Sequence, residues 1–146
     1  LLVTLISITG IASRLVIGYT VDKLEKRIVT SLPFLLMTFA MLCLAFSHIT
    51  GLLLVTISLI LFGVSWGGHS VVRAAIIKEI FGVKRFGTIL GMIAGIGIMG
   101  GMAGPPLAGW IFDAWQSYQN AWLTFAGLSI MSAFSILTIP KKNLNL

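Results

Sequence analysis

Gly18-Tyr19-Thr20-Val21-Asp22-Lys23-Leu24-Glu25-Lys26-Arg27 is a charged decapeptide between two long apolar runs. Half of its residues are charged, against 10% of the 146-residue chain. On either side the sequence stays apolar for about 20 residues at a time, the length a helix needs to cross a hydrocarbon core about 30 Å thick. With 58% hydrophobic residues and a mean hydropathy of +1.05, the chain has more apolar surface than a water-soluble domain of this size can enclose. It reads as an all-α, polytopic transmembrane helical bundle.

Five spans are expected, over about 1–21, 28–47, 52–80, 86–112 and 120–139. Pro33 falls in the early turns of the second, where a proline costs the fewest helix bonds. His48-Ile49-Thr50-Gly51 leaves room only for a tight turn, and Phe81-Gly82-Val83-Lys84-Arg85 ends the third span with a glycine and two cations. Gly104-Pro105-Pro106 is expected to kink or break the fourth, because two backbone donors are missing in succession. In that span Gly87, Gly91 and Gly95, then Gly97 and Gly101, recur at the four-residue spacing that lets membrane helices approach closely. Trp110, Trp115 and Tyr118 have the character of an interfacial belt.

The cations give an orientation. Lys23, Lys26, Arg27, Lys78, Lys84, Arg85, Lys141 and Lys142 fall on one side of the spans, and the loops on the other side have none. The positive-inside rule makes that side the cytoplasm, with the C-terminus inside and the N-terminus outside; the plasma (cell inner) membrane is the expected location. The net charge of +6 is thus a topological signal, and the lipid bilayer, with no nucleic acid, is the expected partner. An odd number of spans beginning at Leu1 without an initiator Met suggests part of a larger protein. Cys43 has no second cysteine to pair with. There is no nucleophile beside a base, no metal-spaced cluster and no phosphate-cradling loop, so neither enzyme activity nor a metal or cofactor is expected.

Arg14 is the residue to explain. Eight residues before Asp22, it lies about 12 Å in from the helix end, near the middle of the core. An arginine there is unfavourable by about 2.5 to 3.5 kcal/mol on insertion scales, which makes it a functional candidate. Ser7, Gly10, Arg14 and Gly18 share one helical face, a polar stripe suited to a water-filled cavity. A guanidinium cannot lose its charge and pairs bidentately with carboxylates and other oxyanions. In the third span Trp66, His69 and Arg73 share a face. His69 can hydrogen-bond a substrate or a neighbouring helix, and Arg73, five residues from Lys78, reads as snorkelling to the interface. Asp113 and Glu79 read as interfacial and loop residues.

The pattern Gly18-x-x-x-Asp22-Lys23-x-x-Lys26-Arg27 resembles the cytoplasmic signature loop of the major facilitator superfamily, with Glu25 where the family usually has glycine, as in the degenerate second copy. Gly100-x-x-x-Gly104-Pro105-Pro106-Leu107-Ala108-Gly109-Trp110-x-x-Asp113 resembles the eleventh span of the monocarboxylate transporter and oxalate/formate antiporter branches, and Lys78-Glu79-Ile80-Phe81-Gly82 the loop before it. The resemblance implies spans eight to twelve of a twelve-span carrier, with the missing N-terminal half as partner. It further implies secondary transport of small organic anions, monocarboxylates first, by alternating access, as a symporter or antiporter. Arg14 takes the place of the arginine that holds the substrate carboxylate, with Ser7 and His69 as polar partners. Gly18, Asp22, Lys23, Lys26 and Arg27 would gate the cytoplasmic side, and Gly104, Pro105 and Pro106 would let a helix bend. Gly10 stands where proton-coupled members have an Asp, and the stretch 87–112 lacks the lysine of oxalate exchangers. An exporter or facilitator for a drug or sugar, or a non-transporting membrane scaffold, fits the same span pattern.

Overall fold

The computed structural model describes residues 2–21 and 26–138. Its elements are α1 (Leu2–Val21), α2 (Lys26–Ala45), the single turn α3 (Ser47–Thr50), α4 (Leu52–Trp115) and α5 (Gln119–Thr138). Five stretches are long and apolar enough to cross a membrane: Val3–Val21, Ile28–Ile49, Leu52–Lys78, Ile80–Trp115 and Gln119–Thr138. The fold is a polytopic transmembrane helical bundle. Asp22, Lys23 and Glu25 of the charged decapeptide lie outside the described residues, and Lys26-Arg27 opens α2.

As one rod, the 64 residues of α4 would reach about 96 Å, three times the thickness of a hydrocarbon core. The chain turns at Gly82, whose φ of 69° and ψ of 177° lie in a region open essentially to glycine alone. A Cβ at this position would meet nothing within 4 Å, so the demand for glycine comes from the backbone and not from crowding. The turn divides α4 into two limbs, one before Gly82 and one after it.

The break expected at Gly104-Pro105-Pro106 does not occur: Gly82 is the one non-helical position within α4, and both prolines lie inside the helix. The lost N–H groups leave carbonyls four residues upstream, at Gly101 and Met102, without their helical donors, yet the backbone stays helical, as membrane helices tolerate. Gly104, before the first proline ring, has no Cβ to clash with it.

α1 packs in parallel against the first limb of α4. Gly10 meets Gly63 and Gly67, Ile17 meets Gly68 and Gly18 meets Val71, the register climbing together along both helices. A Cβ on Gly67 would run into the carbonyl of Gly10, and one on Gly63 would lie 2.7 Å from the Ile6 carbonyl oxygen. The close approach therefore belongs to Gly63-x-x-x-Gly67 opposite Gly10. At the glycines 87, 91, 95, 97 and 101 an added Cβ would meet nothing within 4 Å, and no described residue between 80 and 115 is buried. Small-residue spacing permits close packing, but a facing backbone decides where it happens. At Gly18 a Cβ would lie 3.8 Å from Val71 Cγ1, an ordinary contact.

α2 runs antiparallel to α4 and joins it to α5. Ser65 Oγ donates to the Pro33 carbonyl at 2.6 Å and Ser129 Oγ to the adjacent Phe34 carbonyl at 2.9 Å, while Ser13 Oγ on α1 donates to Val64 O at 2.6 Å. These bonds fix register where lipid offers no hydrophobic drive between helices; each contributes about 0.6 kcal/mol on average. Ile17, Val21, Val29 and Val72 form a buried apolar cluster, backed by Ala75 and Ile76, where α1, α2 and α4 meet.

Candidate functional site

Trp66 stands where three open clefts meet. It lies one residue past Ser65, the midpoint of Leu52–Lys78, is 62% exposed and stacks on Phe62 with ring centroids 6.1 Å apart. Its indole forms a wall of three separate cavities.

The first cavity, about 260 Å³, is lined by Ile6, Ser7, Gly10, Ile11, Arg14 and Trp66. Arg14 lies two residues past Ala12, the midpoint of Val3–Val21, so it is about 3 Å from the centre of its span. Val3–Val21, Ile28–Ile49 and Leu52–Lys78 contain no Asp or Glu. Ser7 Oγ donates its hydrogen to the Val3 carbonyl at 3.1 Å, so it can donate to a ligand only by releasing that bond.

The second cavity, about 670 Å³, lies between the two limbs of α4. Trp66, His69 and Arg73 line one side; Ala94, Gly97 and Gly101 are on the other. The third, about 370 Å³, is lined chiefly by Phe34, Met37, Met41 and Phe125, with Ser65, Ser129 and Ser132. The His69 ring meets Phe34 edge-on at 4.9 Å between centroids, and His69 lines both the second and third cavities.

Among the residues expected to bind substrate, Arg14 and Ser7 therefore share a cavity, and His69 lies beyond Trp66 in the neighbouring two. Of the expected gating residues, Asp22 and Lys23 lie outside the described residues, and Lys26 and Arg27 are described as helical backbone. Gly18 lies beside Val71; Gly104, Pro105 and Pro106 are in the second limb of α4, away from the Arg14 cavity. Asp113 is exposed near the end of that limb, and its carbonyl accepts from Gln116 Nε2 at 3.2 Å.

Sequence spacing did not identify two site features. Trp66 is a partition shared by the cavities. Arg73 lines the second cavity, and its Nε is shielded without a hydrogen-bond partner among the described residues. The signal was present in the helical spacing of 66, 69 and 73, but it is the turn at Gly82 that brings Gly97 and Gly101 of the second limb opposite that face. Among the described residues no His, Cys, Asp and Glu group could hold a metal ion.

A membrane-spanning helical bundle with arginines lining clefts within its spans is consistent with a polytopic transporter. The sequence profile of the Major Facilitator Superfamily matches residues 1–145, and the chain belongs to that superfamily of membrane transporters. No solved structure matches the chain at a significant level.

Proposed function

We propose that the chain takes part in secondary transport of small organic anions, monocarboxylates first, by alternating access. The observation that supports this most is Arg14: a permanent cation near mid-span, lining a cavity, on a helix with no acidic residue between Val3 and Val21. A carboxylate entering the cavity would satisfy the guanidinium fork bidentately and neutralise its charge. Ser7 would contribute a hydroxyl on the same wall, and His69 would meet the anion only after it passes Trp66.

In this reading Gly18, Asp22, Lys23, Lys26 and Arg27 form a gate on the cytoplasmic side of the plasma membrane, where the C-terminus also lies. Gly104, Pro105 and Pro106 give the second limb of α4 its capacity to bend, since the helix there lacks two backbone bonds. The test is Arg14→Ala in the full-length protein, with uptake of labelled lactate measured in proteoliposomes. Loss of uptake with normal membrane insertion is expected; unchanged uptake removes Arg14 from the substrate site.

The third cavity favours a second reading. Its methionines and phenylalanines suit an apolar drug. Saturable export of a lipophilic dye that lactate does not inhibit would support that alternative.

A further inference from the structure

We propose that Arg73 is a second oxyanion site, which holds the transported carboxylate on the side of Trp66 away from Arg14. This rests on the anion-carrier reading and extends it from one binding position to two in sequence. Arg73 lies eight residues past Ser65, the midpoint of its span, hence about 12 Å toward the Gly82 end. Arg14 is only about 3 Å past the centre of its own, parallel span. Along the bundle axis the two backbone positions are thus offset by about 9 Å, with Trp66 lining the cavity of each arginine.

Two features build the second position, the cavity with its wall and the Arg73 guanidinium. The cavity there, about 670 Å³, is large enough for a small carboxylate and its hydration water. Its far wall is formed by Ala94, Gly97, Ile98, Gly101 and Met102; at the two glycines a Cβ would meet nothing within 4 Å, so there a ligand can approach the backbone. The Arg73 Nε is shielded from solvent and has no partner; a carboxylate accepting from Nε and a terminal nitrogen supplies the missing bond with fork geometry. His69, one turn back on the same wall, adds a ring nitrogen. An anion leaving Arg14 thus meets a second cation before the basic end of the bundle, weak multi-site binding of the kind that lets a charged solute both enter and leave.

A lipid phosphate would answer to the same chemistry, so the test separates the two. Gly97→Cys in a cysteine-free version of the full-length protein is reconstituted in neutral phosphatidylcholine vesicles, and its labelling by a methanethiosulfonate is timed with and without lactate. At least fivefold slowing by lactate is expected, abolished by Arg73→Gln and retained by Arg73→Lys. Protection that appears only when anionic lipid is added, or lactate protection that survives Arg73→Gln, overturns the site. If lactate protects Ser7→Cys but not Gly97→Cys, Arg73 fails while the Arg14 reading stands; if it protects neither, both fail.

Discussion

Gly67 of α4 faces Gly10 of α1 so closely that a Cβ at 67 would collide with the Gly10 carbonyl. This contact brings Arg14 and Trp66 to the same cavity, because it sets the register of two parallel helices whose polar residues lie on the adjoining face.

Gly67→Ala should therefore lower stability by about 1–3 kcal/mol, the usual effect of overpacking. Gly127→Ala on α5, where a Cβ meets nothing within 4 Å, should be neutral or stabilising by about 0.5–1 kcal/mol. Thermal unfolding of the detergent-solubilised protein checks both; equal midpoints for the two variants would contradict the packing.

Gly82→Ala tests the turn between the limbs of α4. A side chain at φ 69°, ψ 177° is strained by about 1–3 kcal/mol even with open space around it. The variant should show earlier thermal unfolding, with Gly87→Ala, in ordinary helix, as the tolerant comparison.

Ser65→Ala should cost more than Ser132→Ala. Ser65 is buried and bonds across helices to Pro33, whereas the Ser132 hydroxyl bonds within its own helix to Leu128. The expected difference is about 0.6–2 kcal/mol, read from chemical unfolding followed by tryptophan fluorescence.

These positions also mark how far the sequence could be read. The helical spans were legible because a bilayer imposes a length on apolar runs, and Gly82 was legible as an end because two cations follow it. Which glycines pack was not: Gly63-x-x-x-Gly67 and Gly87-x-x-x-Gly91 have the same spacing, and only the position of Gly10 distinguishes them. Pro105-Pro106 do not break the helix, because a proline's fixed φ is itself helical and its missing donor removes a bond without forcing the backbone out of the helix. The candidate site was legible as separate residues, with Arg14 standing out by its cost in lipid. The shared place of Trp66 among the clefts and the cavity beside Arg73 depend on how the limbs turn at Gly82, information no local pattern carries.

Trp66→Ala should merge the cavities on either side of the indole. In an anion carrier this broadens size selection, so uptake of a bulky aromatic carboxylate such as phenylpyruvate should rise several-fold relative to lactate. An unchanged ratio would mean that Trp66 does not border the path.

The central claim is that a carboxylate is held at Arg14 within the membrane. The most direct measurement is the rate of methanethiosulfonate labelling at Ser7→Cys in the full-length, otherwise cysteine-free protein, with and without lactate, in the presence of Arg14 and of Arg14→Gln. A carboxylate held there predicts a thiol that labels, slowed by lactate when Arg14 is present and insensitive to lactate when it is replaced. A thiol that never reacts, or one whose labelling lactate slows equally in both backgrounds, would contradict it.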